Sequence, residues 1–238
     1  MKKIHILGKD EEKISIIKNK LEEKGFSYVE ENPEVVICYG GDGIFLIAER
    51  VFPNVPKILI KDSLICNTGQ DIPIKEALDL YNKGDYKILE IKKLKANFKG
   101  RFEARELVGV NDIVIRNSLP TEAVRFNIFV NGKKISEKIL IGDGVVIATS
   151  YGSSKGAYFH SICRRDFKEG IGIAFNNTSE EKSCLILKED DEIQIEIVRG
   201  PAVLVADNNR DFINLENGDR ISVKQTQDVA KKIVLLNK

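Results

Sequence analysis

Hydrophobic and polar positions follow two different patterns along the chain, and the change comes near Tyr86. Before that point, short continuous apolar runs are separated by segments in which apolar residues recur every three or four positions. The runs are typical of parallel strands covered on both faces, and the longer segments are typical of amphipathic helices. The order strand, helix, strand, helix predicts an N-terminal Rossmann-like, doubly wound α/β domain over residues 1–86.

The elements of this first domain are marked by their end signals. Strands are predicted at Lys3–Leu7, Val35–Tyr39 and Lys57–Ile60, and helices at Asp10–Lys24, at Ile44–Val51 and from Asp71 onward. Gly25 and Gly84 follow two helix ends, where glycine is the usual residue, and Pro73 suits a first helical turn.

After Tyr86, short segments rich in Ile, Val and Phe recur between turn signals such as Asn131-Gly132. This spacing favours a β-sandwich-like domain over residues 87–224, so the predicted fold class is α/β plus all-β. The predicted strands are Glu106–Val110, Ile113–Ile115, Val124–Val130, Val145–Ala148, Gly170–Phe175, Ser183–Leu187, Ile193–Val198, Val203–Ala206 and Arg220–Val223. A helix is predicted near Ser154–Cys163. Residues 225–238 fit no strand pattern and are a candidate to return to the first domain.

Composition and charge narrow the classes of partner. The chain has 37 basic and 36 acidic side chains and a formal net charge of +1, which gives no overall attraction to nucleic acid or to an anionic membrane. It shows neither a signal-peptide pattern nor an apolar run of roughly 18 residues. We therefore expect a cytoplasmic protein with no nucleic-acid or membrane partner, in which local geometry holds any anionic ligand.

The cysteines give no sign of a special role. Cys38, Cys66, Cys163 and Cys184 are far apart in sequence and form no CxxC pair. This spacing indicates neither a metal site nor a disulfide framework. All four are predicted to be reduced packing residues, and no metal-ligating side chain is predicted.

The strongest local signal is the turn Gly40-Gly41-Asp42-Gly43, which lies between a predicted buried strand and a predicted helix. Ligands of open α/β sheets bind at the carboxyl ends of strands, and this turn is at such an end. Glycines let the backbone approach a phosphate closely, and the N–H groups of the following helix favour an anion. The carboxylate of Asp42 can accept a hydroxyl proton or face a metal. A tight turn with an incidental aspartate is the alternative.

Two further motifs join polar residues to a strand. Asn111-Asp112 leads directly into Ile113–Ile115, and an asparagine amide can both donate to and accept from an adenine or amide edge. Gly142-Asp143-Gly144 is followed by an apolar strand and then by the hydroxyl-rich loop Thr149–Tyr158. Hydroxyls and N–H groups at a helix start can bind phosphate and ribose oxygens. Taken singly, each motif also fits an ordinary turn.

Together and in this order, the three motifs resemble those of the NAD kinase family over Gly40–Tyr158. The family has GGDG after a strand, Asn-Glu before a strand, and Gly-Asp-Gly followed by a strand and TPTGSTAY. GGDG is shared with diacylglycerol, sphingoid and 6-phosphofructo-kinases, whereas the last element selects NAD kinases. The resemblance implies an enzyme that moves a phosphoryl group from ATP, or another donor, to the 2′-hydroxyl of the adenosine ribose of NAD, making NADP.

The resemblance also implies residue roles, a cofactor and an assembly. Asp42 would be the general base, and Gly40, Gly41 and Gly43 would form the phosphate loop. The residues that would contact NAD are Asp42, Gly43, Asn111, Asp112, Asp143, Thr149, Ser154, Ala157, Tyr158, Ser161, Ala174 and Asn209. Among these, Asn111 and Asp112 would hold the adenine or ribose side, and Asp143 would meet the nicotinamide end, often across a subunit interface. Mg²⁺ would bridge the donor phosphates, and a homodimer or homotetramer is expected.

Several positions depart from the family pattern. Ile44 stands where a threonine is usual, Asp112 replaces Glu, and Lys155-Gly156 resembles an insertion. The family's Asn-x-Gly segment is represented, at most, by Ile65–Gly69. These departures leave open the choice of ATP or polyphosphate, the choice of NAD or NADH, and feedback by NADP.

Two alternatives to an NAD kinase follow from the same residues. One is a kinase of the GGDG superfamily that acts on a lipid or another alcohol, which predicts an apolar cleft and no affinity for NAD. The other is a dinucleotide-binding protein without catalysis, which the departures around Ser150–Gly156 motivate.

Overall fold

The computed structural model describes residues 1–62, 66, 68–100, 103–155, 157–179 and 184–236, with the backbone alone at Lys155 and Ala157. The chain forms two compact units. The first comprises Met1–Ile91 and Asp228–Lys238, and the second comprises Lys92–Gln227. In the described ranges, no helix combines the length and the apolarity that crossing a membrane requires.

The first unit is an α/β domain around a parallel sheet. Its elements are β1 (Lys2–Gly8), α1 (Glu11–Glu23), β2 (Phe26–Tyr28), β3 (Val35–Gly40), α2 (Asp42–Val51), β4 (Lys57–Lys61), α3 (Ile74–Lys83) and the start of β5 (Tyr86–Lys99). Strand β1 pairs in parallel with β2 and β3, and β3 pairs in parallel with β4. The end of the last strand, β17 (Arg220–Leu235), also pairs in parallel with β4. The predicted α/β domain is therefore confirmed, with the additional short strand β2.

Local chemistry explains where the helices begin and end. Asp10 caps α1 because its carboxylate accepts the Lys13 N–H at 3.1 Å. Gly84 ends α3 in the left-handed conformation, with φ +81°, which glycine adopts without strain. The predicted start of α3 at Asp71 is three residues early, because Pro73 is extended and a proline disfavours helical geometry in the residue before it.

The second unit is a β-sandwich with two short helices. Its remaining elements are β6 (Ala104–Gly109), β7 (Asp112–Asn117), β8 (Val124–Val130), β9 (Lys133–Lys134), β10 (Leu140–Gly142), β11 (Gly144–Thr149), α4 (Ser150–Lys155), α5 (Ala157–Cys163), β12 (Ile171–Asn176), β13 (Cys184–Leu187), β14 (Ile193–Arg199), β15 (Ala202–Ala206) and β16 (Ile213–Leu215). One sheet has six antiparallel strands in the order β13-β12-β11-β7-β15-β16. The other contains β10, β8, β14 and the start of β17, together with the pair β5-β6. The β-rich prediction is confirmed.

The sandwich buries both faces of its central strand β11. Val145 and Ile147 join the core between the two sheets, next to residues such as Phe126 and Ile195. Val146 and Ala148 point the other way and pack with Phe159 of α5. Burial on both faces is why the sequence of β11 is continuously apolar instead of alternating.

Three predictions for the second half of the chain need correction, two that concern helices and strands and one that concerns the cysteines. The single helix predicted near Ser154–Cys163 is two helices, α4 and α5, and Gly156 between them lies outside the described residues. Residues 225–238, which fitted no strand pattern, continue β17 as far as Leu235. Ser183, the predicted start of a strand, also lies outside the described residues.

The third correction concerns the cysteines. Cys163 at the end of α5 and Cys184 at the start of β13 form a disulfide, with their Cα atoms 5.6 Å apart. Cys38 and Cys66 are free and buried, as predicted. The disulfide was missed because it depends on where the fold places α5 and β13, which a spacing of 21 residues does not reveal.

Candidate active site

The glycine turn in the first unit joins the end of β3 to the start of α2. Gly40 has φ +149°, which side-chain-bearing residues rarely adopt, and a Cβ there would lie 3.0 Å from Cγ1 of Ile44. Gly41 caps α2 without a side-chain hydrogen bond, and Asp42 is the first residue of the helix. The positive end of the helix dipole therefore lies at the Asp42 carboxylate and favours its negative charge.

The Asp42 carboxylate is held by a segment that follows β4. Its Oδ1 accepts the backbone N–H of Thr68 at 3.1 Å, and it also accepts the Thr68 hydroxyl. The Cys66 thiol lies 3.7 Å from the same oxygen. Because several donors meet one oxygen, the orientation of the carboxylate is set by this segment.

A pocket of about 520 Å³ opens beside the turn. It is lined by Lys9, Asp10, Tyr39, Gly40, Gly41, Asp42, Gly43, Ile44, Asp62 and Cys66. Asp62 is paired with Lys13 at 2.9 Å, and burial together with the Asp62 carboxylate raises the pKa of Tyr39. The volume is in the range of small-molecule sites, and the lining is charged and glycine-rich, which suits a polar ligand better than a lipid chain.

Ile44 has no hydroxyl, unlike the threonine that is usual at its position in the family pattern. Its side chain is 5% exposed and packs below Gly40. The hydroxyl beside Asp42 comes instead from Thr68, which lies in the described part of the predicted Ile65–Gly69 remnant; Ile65 and Asn67 lie outside the described residues.

A second polar cluster forms in the second unit, at one end of the six-stranded sheet. The start of β7, the end of β11 and the end of β15 meet there, since these strands are antiparallel neighbours. The carboxylate of Asp207 accepts the backbone N–H groups of Val110, Asn111 and Asp112 at 2.8, 2.7 and 3.1 Å. Asp207 therefore fixes the turn that carries the predicted Asn111-Asp112 motif.

Asn111 and Asp112 are both buried, and each has an unusual polar group. Asn111 is 8% exposed, and its Oδ1 has no hydrogen-bond partner among the described residues. A buried acceptor without a partner is rare, and a bound ligand would satisfy it. Asp112 is 3% exposed; burial raises its pKa to about 7, and the nearby Asp207 carboxylate adds to the rise.

The predicted hydroxyl-rich loop is instead largely helical, with α4 over Ser150–Lys155, and its start is folded against this turn. The Thr149 hydroxyl donates to the Val110 carbonyl at 2.7 Å and accepts the Gly152 N–H at 2.9 Å. A Cβ at Gly152 would lie 2.0 Å from the Asn111 carbonyl oxygen, so only glycine fits. Thr149 and Gly152 thus support the backbone of Asn111. The Ser154 hydroxyl lies 3.5 Å from the Tyr151 carbonyl.

The other predicted NAD contacts occupy different surroundings. Tyr158 is half-exposed, and the exposed Ser161 donates its hydroxyl to the Tyr158 carbonyl at 2.8 Å. Ala174 is fully buried beneath α5, and only the backbone of Ala157 is described. Asn209 follows β15, where its side chain accepts the Asp211 N–H at 3.1 Å.

Asp143 is separate from the Asn111 cluster. It precedes β11, whereas Thr149 ends that strand, so the two are roughly 20 Å apart along an extended chain. The Asp143 carboxylate accepts the Asn177 side-chain N–H at 2.8 Å. A Cβ at Gly142 or Gly144 would lie 2.4 or 2.0 Å from a backbone oxygen, and Gly144 also has φ +132°, so the backbone itself explains both glycines.

Two positioning residues were missed by the sequence reasoning. Thr68 follows β4, on the sheet edge where ligands of α/β proteins bind. Asp207 follows β15 and lies beside the Asn111-Asp112 motif. The resemblance pointed to Asn209, two residues after Asp207, but the hydrogen bonds of Asp207 to residues 110–112 leave no signal in the sequence.

Comparisons with known proteins agree on one kind of enzyme, although no protein-family model matches the chain. An NAD kinase from Sulfurisphaera tokodaii is 33% identical over 167 residues, which is 68% of this chain and 62% of that protein. An NAD kinase from Aquifex aeolicus is 26% identical over 207 residues, which is 83% of this chain and 74% of that protein. The chain thus matches less than two thirds of the length of the first of these relatives.

Solved structures show the same fold. Yeast NADH kinase in complex with NADH has a TM-score of 0.83 at 18% identity, covering 99% of this chain and 84% of that one. An NAD kinase from Archaeoglobus fulgidus in complex with ATP has a TM-score of 0.76 at 15% identity, covering 100% of this chain and 94% of that one. An α/β domain followed by a β-sandwich is therefore shared with these proteins.

Proposed function

This chain belongs to the NAD kinase family, and from that premise we propose that it transfers the γ-phosphoryl group of ATP to the 2′-hydroxyl of the adenosine ribose of NAD, making NADP. The observation that carries the proposal is the placement of Asp42. Its carboxylate lies at a strand end and a helix start, is oriented by Thr68, and lines a polar pocket of about 520 Å³.

Asp42 acts as the general base of this reaction. Its carboxylate accepts the proton of the 2′-hydroxyl while that oxygen forms a bond to the γ-phosphorus. The bond from the γ-phosphorus to the bridging oxygen breaks, and ADP leaves. Phosphoryl transfer depends mostly on positioning and on charge stabilisation, and a placed general base contributes roughly 10² to 10⁴ in rate.

The donor phosphates are bound by the glycine turn. Gly40, Gly41 and Gly43 carry no side chains that would block close approach, and the N-terminus of α2 favours negative charge. Within the described ranges, no group of three or more His, Cys, Asp or Glu side chains could hold a metal ion. The carboxylates that line the pocket, Asp42 and Asp62, suit a Mg²⁺ ion that would arrive with the nucleotide, since Mg²⁺ often binds substrate phosphates with one or two carboxylates. The ion would supply neutralisation of the phosphate charge.

The second unit binds NAD through the turn at Asn111. The unpartnered Oδ1 of Asn111 accepts from the adenine amino group or an amide of the dinucleotide. Asp112, with a pKa near 7, is protonated in part at neutral pH, so its carboxyl can both donate to and accept from ribose hydroxyls. The resemblance adds Tyr158, Ser161 and Asn209 as further contacts of the dinucleotide.

Asp143 has a different role from Asn111 and Asp112. It lies at the far end of β11 from Thr149, and the resemblance assigns it to the nicotinamide end across a subunit interface. The proposal therefore includes assembly as a homodimer or homotetramer. A cytoplasmic location, expected from the sequence, is a further part of the proposal. The alternative of a lipid kinase requires an apolar cleft, whereas the pocket at Asp42 is lined by charged residues.

The test is NADP formation by the purified protein. NAD, ATP and Mg²⁺ are supplied, and NADP is scored with an NADP-specific dehydrogenase. We expect NADP only when all three are present. Replacing NAD by NADH, and ATP by polyphosphate, measures which acceptor and donor are preferred. Absence of a phosphorylated dinucleotide in every combination would contradict the proposal.

A further inference from the structure

The segment Thr68–Gln70 of the first unit is held between Asp42 and the C-terminal strand. On one side, Thr68 donates its N–H and its hydroxyl to Oδ1 of Asp42. On the other side, the Lys232 ammonium donates to the Thr68 carbonyl at 2.6 Å. Thr68 therefore connects the candidate base to a residue 164 positions later in the chain.

Gln70 fastens the same segment to the same strand. Its side-chain amide donates to the Leu235 carbonyl at 3.0 Å and accepts the Leu235 N–H at 2.9 Å. Its backbone exchanges hydrogen bonds with β4, through the Leu59 carbonyl and the Lys61 N–H, both at 2.9 Å. Two neighbouring strands thus fix the backbone of Thr68–Gln70, which a loop alone would leave free to move.

Because Lys232 is buried, its ammonium requires acceptors such as the Thr68 carbonyl. Lys232 is 5% exposed and lies beside Lys57 in the β17-β4 pair. A buried ammonium is costly unless acceptors surround it. Lys57 is itself fully buried, and it donates to the Glu49 carboxylate and to the Phe52 carbonyl. The Thr68 carbonyl is an acceptor that Lys232 uses, so the ammonium and the Thr68 backbone hold each other in place.

We propose that Thr68 and Lys232 are positioning residues for the Asp42 carboxylate, so that the C-terminal strand is part of the catalytic apparatus. The inference rests on the proposed function of Asp42. Thr68 sets the rotation of the carboxylate, and Lys232 sets the place of Thr68. A general base must lie within hydrogen-bonding reach of its proton, and a displacement of about 1 Å can cost on the order of 10² in rate.

Activity measurements separate positioning from binding. Thr68→Val removes the hydroxyl and keeps the shape, so kcat should fall about 10- to 100-fold, while KM for NAD and ATP stays within about threefold. Thr68→Ser restores the hydroxyl and should recover kcat to within about threefold of wild type. Lys232→Met should lower kcat about tenfold, whereas Lys231→Met, on the adjacent and less buried position of the same strand, should not. Wild-type kcat in Thr68→Val would overturn the proposal.

Amide hydrogen exchange tests the same idea without turnover. In Lys232→Met, exchange at the Thr68 N–H should accelerate at least about tenfold, while the Ile37 amide in β3 should keep its wild-type rate. Lys231→Met should change neither amide. Unchanged exchange at Thr68 in Lys232→Met would overturn the role of Lys232. If the wild type made no NADP, the proposed function would fail, yet the exchange result would still decide whether Lys232 positions Thr68.

Discussion

Asp42 in the first unit and Asp112 in the second are both carboxylates beside a predicted ligand, but their surroundings are opposite. Asp42 is partly exposed at a helix N-terminus and accepts both donors of Thr68. Asp112 is 3% exposed and lies near a second carboxylate, Asp207, which takes the backbone N–H groups of the same turn. The first arrangement orients an accessible carboxylate, which suits a proton acceptor, whereas the second opposes charge and suits a hydrogen-bonding contact.

The largest expected effect is loss of turnover when the charge of Asp42 is removed. In Asp42→Asn the side-chain oxygen still accepts from Thr68, so the protein should fold, but the amide cannot act as a base. We expect kcat to fall roughly 10² to 10⁴-fold with little change in KM, measured by NADP formation. Asp10→Asn is the matched control, since Asp10 lines the same pocket and asparagine caps a helix equally well. Equal losses in the two variants would mean that pocket charge, not a base at Asp42, carries the rate.

Asp112 should instead produce a pH-dependent cost in stability. Its pKa is raised from 3.8 to about 7 in the folded state, so between these values the folded protein keeps a proton that the unfolded chain releases. The free energy of unfolding should therefore fall as pH rises from about 4 to 7, by up to on the order of 4 kcal/mol from this group. Below pH 4 the contribution is fully present, and above pH 7 it is lost.

Asp112→Asn should remove that part of the slope in urea unfolding between pH 4 and 8. It should also make the protein more stable than wild type at pH 8, because an amide carries no buried charge. The exposed Asp190→Asn serves as control and should keep the wild-type slope. An identical pH dependence in Asp112→Asn and wild type would show that Asp112 is not held as described.

A smaller effect should come from the disulfide, which fastens α5 in the second unit only. Cys163→Ser with Cys184→Ser should lower the free energy of unfolding by about 3 kcal/mol, because the cross-link restricts the unfolded chain. Dithiothreitol should lower the stability of the wild type by a similar amount and leave the double variant unchanged. Alkylation of the unfolded, non-reduced protein should count two free thiols, from Cys38 and Cys66; four would contradict the cross-link.

Regular elements with local signals were predictable from the sequence. The strand Val124–Val130 is confirmed to the residue, because Asn131 and Gly132 take positive φ in the hairpin turn that ends it. The strand before the glycine turn is also confirmed, since burial on both faces leaves a continuous apolar run.

Features that depend on distant partners could not be predicted. The middle of β17, Lys224–Asp228, is polar, and the strand continues beyond it because its end pairs with β4, far away in sequence. Thr68 gains its place from Asp42 and Lys232, and Asp207 gains its place from residues 110–112. None of these contacts leaves a periodic pattern, so the motifs indicated the two sites without indicating what orients them.

Asp42 carries the chemistry and Asn111 binds NAD in the proposed function, and NAD affinity measured by calorimetry separates these two roles most directly. Asp42→Asn should bind NAD within about threefold of wild type although it makes little NADP. Asn111→Ala, which removes the unpartnered Oδ1, should weaken NAD binding about tenfold or more. Unchanged NAD affinity in Asn111→Ala, or loss of NAD binding in Asp42→Asn alone, would contradict the separate roles of Asp42 in chemistry and Asn111 in NAD binding.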